Sequence, residues 1–190
     1  MTTRRQFIEG LATLPLSYFF LPHTIGSLGM EETTDEMISR GGPFSVALLP
    51  VDQVNTNDRI YPEKVVREAI DSLPNNTLMG GMGFPILDGK VILKDVAFTA
   101  THLRIAHNND YCNGKWLWGD IRIINTPQGL LMKNLLREQG LDAYAFRTAG
   151  IGGFSMIEAG RTMGTNVVNP GFLLVALAMI PVHQATTVKV

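Results

Sequence analysis

Lys115–Phe154 reads KWLWGDIRIINTPQGLLMKNLLREQGLDAYAFRTAGIGGF, a strand, a helix, a second strand and a glycine-rich corner with their boundaries marked in the residues. Trp116–Ile124 alternates aromatic or β-branched residues with polar ones, the period-two pattern of a strand. Thr126-Pro127 offers an N-cap hydroxyl followed by proline at the first helical position. Leu130, Leu131, Asn134, Leu135 and Glu138 recur at helical spacing, and Gly140 stops the helix as a left-handed C-terminal glycine would. A short apolar strand, Tyr144–Phe146, then enters Arg147-Thr148-Ala149-Gly150-Ile151-Gly152-Gly153. Such a corner carries either a reactive side chain with a backbone oxyanion hole, or a tight turn in which glycine supplies positive φ. Spacing alone favours the turn.

The rest of the chain bounds the function. Its 190 residues suffice for one domain with a substantial core. Hydrophobic residues make up 45% and charged ones 17%, which excludes a disordered or nucleic-acid-coating composition. A net charge of −1 gives no electrostatic case for DNA, RNA or anionic lipid. The single Cys112 excludes an internal disulfide and a cysteine zinc cluster, and its polar surroundings argue against a nucleophile. His23, His102, His107 and His183 are scattered and short of neighbouring carboxylates, so no metal site is expected. Gly150-Ile151-Gly152-Gly153 has neither the spacing nor the lysine of a phosphate or dinucleotide loop, and no cofactor is expected.

Residues 1–30 read as an N-terminal arm, propeptide or signal-like segment. Thr3-Arg4-Arg5-Gln6-Phe7-Ile8 followed by an apolar run from Leu11 to Leu21 resembles a twin-arginine export signal, which implies a periplasmic destination as an alternative. Pro15 interrupts the run, no clean cleavage site follows, and it is too short for a membrane span. Residues 31–42 (EETTDEMISRGG) read as a linker with at most one helical turn, and residues 43–190 as the folded domain.

Within that domain Phe44–Leu49 is a short strand, followed by a polar loop closing on Ile60-Tyr61-Pro62. A helix over Pro62–Leu73 carries Val65, Val66, Ala69, Ile70 and Leu73 on one stripe. Lys90–Ile105 suits an extended strand or hairpin, Phe154–Ile157 a strand, and Gly164–Pro170 a loop. Phe172–Ile180 (FLLVALAMI) is continuously apolar, as a strand buried on both faces is. The alternation predicts an α/β (α+β) domain in which helices near Pro62–Leu73 and Pro127–Gln139 pack on a mainly antiparallel sheet.

Several of these pieces, in order, resemble the prohead core proteases of tailed bacteriophages. Asn55-Thr56-Asn57-Asp58-Arg59-Ile60-Tyr61-Pro62 is similar to that family's N-x-N-x-R-hydrophobic-Y-P signature, and Gly80–Pro85 to its G-E-L-x-H-P segment. Leu117–Ile123 with Thr126–Gly129 resembles its strand and following helix, Ala145–Gly152 stands where it has an S-S-R-G-x-G nucleophile corner, and Phe172–Pro181 resembles its last strand. The resemblance covers Phe44 to Thr186 and implies a herpesvirus-assemblin-like sheet or partial barrel. It further implies a serine peptidase of capsid maturation, cutting scaffold and capsid proteins after glutamate.

The same comparison removes the chemistry. Phe84 stands at the family's histidine position, Arg147 and Thr148 at its serine pair, Ala149 at its arginine, and Leu177-Ala178-Met179 where an acidic residue is expected. A serine peptidase needs a nucleophile, a base within reach and oxyanion donors, and phenylalanine cannot take a proton. Only the corner of Gly150, Gly152 and Gly153 is kept as an oxyanion-like feature. Thr148 with His102, or with His107, is the candidate substitute dyad, and Ser155 a weaker nucleophile.

The sequence therefore points to a catalytically degenerate prohead-protease-like protein, a structural or assembly component of a phage-like particle or a regulator of an active paralogue. Expected partners are phage scaffold, capsid or protease proteins, with self-association left open and neither nucleic acid nor a membrane span. The location implied is the host cytoplasm, within the assembling head. An active maturation peptidase and an exported bacterial protein are the alternatives.

Overall fold

The computed structural model describes residues 33–55, 57–87, 90–108, 112–157 and 165–184. The arginine pair and apolar run of residues 1–30 lie outside them. In chain order the elements are α1 (Thr34–Arg40), β1 (Phe44–Val51), β2 (Arg59–Ile60), α2 (Glu63–Asp71), β3 (Leu78–Gly81), β4 (Ile86–Leu87) and β5 (Lys90–Val91). They continue with β6 (Val96–Asn108), β7 (Cys112–Ile123), α3 (Pro127–Gln139), β8 (Tyr144–Ile151), β9 (Phe154–Ile157), β10 (Thr165–Val168) and β11 (Leu173–Pro181).

Six strands form the main sheet in the order β1-β7-β6-β3-β11-β8. All neighbours are antiparallel except β11 and β3, which run parallel. The two outermost strands, β1 and β8, also come alongside one another, so the sheet is nearly closed. A small second sheet, β2-β10-β9, stands beside it.

Aromatic contacts show which face points inward. Phe98 on β6 meets Phe146 on β8 edge to face, and Phe44 on β1 meets the same ring at 6.2 Å. Val46, Leu48, Leu117, Ile121, Leu177 and Met179 join them in the core. Burial of this apolar surface is the main drive for closure.

The helices follow their sequence signals. The Thr126 hydroxyl accepts from the Gly129 amide and Pro127 opens α3, while Met132 and Leu136 are buried. Pro62 gives α2 no side-chain cap, and the Asp52 carboxylate accepts from the Glu63 amide instead. The Asn55–Pro62 signature is explained by Asn55, a buried side chain whose Oδ1 accepts from the amides of Asn57 and Arg59 and so knots the loop.

Three local expectations change. The stretch expected as a linker forms α1, with a Thr33/Glu36 capping box and with Met37 and Ile38 buried in the core. The expected loop at Gly164–Pro170 contains β10, because Asn166 and Val167 pair with β2 on one side and β9 on the other. The strand read as Tyr144–Phe146 extends to Ile151, since β11 pairs with it along that whole length.

Candidate functional site

Some of the positions singled out from the sequence, Thr148 and Arg147 among them, lie beside β11. Its Leu177 lies between Thr148 of β8 and Gly80 of β3, and its Ala178 between Arg147 and Gly81. Successive residues on a strand point to opposite faces. Leu177 belongs to the interior, so Thr148 shares that inward side, while Arg147, Ala178 and Gly81 belong to the outward face.

The loop after β3 returns to the same place. The Gly83 amide donates to the Met179 carbonyl at 3.3 Å, and the Ile86 amide to the Phe84 carbonyl at 2.8 Å. A Cβ on Gly81 would come within 3.4 Å of the Pro85 Cβ, so the proline ring sits over Gly81 on the outward face. The fold thus sets the Phe84-Pro85 loop and Arg147 on either side of Ala178. Phe84 is 47% exposed.

The glycine corner is not the positive-φ turn that its spacing suggested. Gly150 lies within β8 opposite Leu174, and positive φ occurs at none of Gly150, Gly152 and Gly153. Their smallness makes room for Phe172: a Cβ on Gly150 would come within 2.3 Å of that ring, and one on Gly152 within 3.1 Å of its backbone. The Phe172 ring in turn packs edge to face on Tyr61.

Arg147 is the unusual group at this site. Its Nη1 donates to the Phe146 carbonyl at 2.8 Å, while its Nε is buried and has no hydrogen-bond partner. Burial pushes the guanidinium down to about 10.

His102 lies elsewhere. It sits in an irregular stretch of β6 between Thr101 and Arg104, with φ of 49°, and its Nδ1 is 3.3 Å from Asp120 Oδ2. Asp120 also accepts from Ser45 at 2.5 Å and from Arg104 at 3.0 Å. Burial alone would raise the Asp120 carboxyl, but the Ser45 hydroxyl and the Arg104 guanidinium outweigh it and hold it below its ordinary value. In the strand order β6-β3-β11-β8, His102 is three strands from Thr148. The level of Thr148, followed through Leu177 and Gly80, meets β6 at Phe98, four residues before His102. The fold does not bring the two candidates together.

The remaining candidates are also dispersed. His107 is an exposed residue of β6 opposite Lys115, and Cys112 begins β7 opposite Asn108. Ser155 on β9 is exposed and its hydroxyl donates to Asn169 Oδ1 at 2.9 Å. Among the described residues no three histidine, cysteine or acidic side chains could hold a metal ion. The Ser45–Asp120–Arg104 cluster was missed in the sequence because its members come from three strands, and only the register joins them.

No protein-family model and no curated protein matches this sequence. Among solved structures, the bacteriophage T4 capsid assembly protease, gp21, is similar with a TM-score of 0.57, covering 72% of this chain and 79% of that chain at 18% identity. The two chains share a fold. It agrees with the expected α+β, assemblin-like architecture with a mainly antiparallel, nearly closed sheet. On this frame, β8, the Phe84-Pro85 loop and β11 adjoin, without a histidine on any of them.

Proposed function

We propose that this chain is a capsid-protease-fold protein that works by binding rather than by peptide hydrolysis, as an assembly component of a phage-like particle or a regulator of an active paralogue. One observation carries the reading. Where β8, β11 and the loop after β3 adjoin, the side chains are Arg147, Thr148, Leu177, Ala178, Met179 and Phe84, and none of them can act as a general base at neutral pH. Positioned general-base help is worth ~100- to 10,000-fold in rate, and a lone threonine hydroxyl forgoes it.

Its partners under this reading are scaffold, capsid or protease proteins of the same particle, in the host cytoplasm within the assembling head. The similarity to a capsid assembly protease supports that class of partner. No described helix is long and apolar enough to cross a membrane.

The test is incubation of the purified full chain with a phage scaffolding protein, read by intact mass, beside Thr148→Ala and His102→Ala. Intact scaffold, with retained co-sedimentation for wild type and both variants, is the expected result. Cleavage by wild type that both substitutions abolish would overturn the reading in favour of a maturation peptidase with a displaced dyad.

A further inference from the structure

We propose that the Arg147 guanidinium is the seat for a carboxylate presented by a bound polypeptide, either a side-chain carboxylate or a chain terminus. The inference deepens the binding reading above and rests on it.

A guanidinium carries five N–H donors and no acceptor. Among the described residues, the one hydrogen bond made by the Arg147 side chain goes to the carbonyl of its own neighbour, Phe146. Nε is sealed from solvent without an acceptor, whereas Nη2 makes no hydrogen bond among the described residues and is not sealed. The charge is therefore dehydrated on its inner side and open at one outer edge. A carboxylate arriving there meets a donor pair in poorly hydrated surroundings, where charge-assisted hydrogen bonds are strongest.

A further feature narrows the ligand. The outward-facing positions around Arg147 are Ala145, Ala149, Ala176 and Ala178, of which Ala145, Ala176 and Ala178 are buried, with the Pro85 ring beside them and no second cation among them. One positive charge in apolar surroundings matches a monoanion with apolar neighbours, which describes a peptide carboxylate better than a phosphate dianion.

The experiment titrates the full chain by calorimetry with four probes. They are acetate, an acetyl hexapeptide amide with one central glutamate, its glutamine counterpart, and that counterpart with a free carboxyl end. The peptide carrying the glutamate or the free end should bind about tenfold or more tightly than the glutamine amide, the loss expected for a hydrogen bond to a charged group. Acetate should bind more weakly than either, and Arg147→Met should remove the preference. The Arg147 Nε–Hε resonance of wild type should shift on titration, which reads the contact without any variant. Equal binding of all peptides, an unchanged preference in Arg147→Met, or an unmoved resonance would overturn the proposal. Mass analysis of the same samples separates the two readings: cleavage sinks the non-hydrolytic function, and loss of carboxylate preference sinks only the Arg147 site.

Discussion

Phe98 and Phe146 touch edge to face, with ring centroids 5.4 Å apart and planes at 81°, although β3 and β11 lie between their strands. Neighbouring strands are separated by about 4.8 Å, so a flat sheet would keep these rings well apart. Their contact records the curl that nearly closes the sheet. Gly80 makes it feasible: a Cβ there would come within 2.2 Å of the Phe98 ring.

Gly80→Ala should therefore force the Phe98 ring off Phe146. The overpacking cost is about 1–3 kcal/mol, and urea unfolding should show a lower midpoint at an unchanged slope. A midpoint equal to wild type would mean that the ring has room to spare.

Asn55→Ala should cost about 1–3 kcal/mol, because the amides of Asn57 and Arg59 lose the acceptor that organises the loop. Asn55→Asp keeps an acceptor oxygen and should recover part of the loss. Thermal unfolding of the pair against wild type measures both effects.

The ion-pair network at the start of α2 should be pH-bounded. Lys115 Nζ lies 2.6 Å from Glu63 Oε2 and 3.1 Å from Asp52 Oδ2. The hydrogen bond from Lys115, then that from Arg67, holds Glu63 below its ordinary 4.5; the bond to Glu63, then that to Asp52, holds Lys115 above its ordinary 10.5. A lowered acid contributes stability above its unfolded value and loses it as pH falls through the folded one. A raised base contributes below its unfolded value and loses it as pH rises through the folded one. The gap in stability between wild type and Glu63→Gln should be flat across roughly pH 5–10 and shrink beyond either end. A gap independent of pH down to about 3 would show that these ion pairs contribute nothing.

Arg147→Met should stabilise the free protein. Burial lowers the guanidinium to about 10, below its ordinary value, a depressed base whose penalty persists at neutral pH and is relieved only as pH rises above the folded value. Replacing it with an apolar side chain of similar length should raise stability by about 1–3 kcal/mol. For a domain of this size each 1 kcal/mol shifts Tm by about 2–4 °C. A lower Tm would show that the charge is better accommodated than its lone hydrogen bond implies.

The strand read from the sequence at Phe154–Ile157 was expected to be a buried one. Met156 does lie in β9, but it is 66% exposed because β9 pairs only with β10 on the edge of the small sheet. Alternation identifies a strand without saying which of its faces finds a partner.

Much of the fold was legible because it rests on local chemistry. Thr126 and Pro127 mark the start of α3, the stripe from Val65 to Ile70 marks the buried side of α2, and the run through Leu177 marks a strand enclosed between two others. These signals act over a few residues, where capping, periodicity and burial leave a direct trace. The glycines of the corner were legible as glycines but not in their purpose, since Phe172, which fills the space above Gly150, lies over twenty residues further on. Phe84 could be read from the sequence at the position where the resembled family has its histidine, while the separation of His102 from Thr148 came only with the strand order. Tertiary structure likewise decided the burial of Arg147 and the meeting of Ser45, Arg104 and Asp120. Register and sheet closure bring residues together across the whole chain, and one sequence read in order holds no measure of that distance.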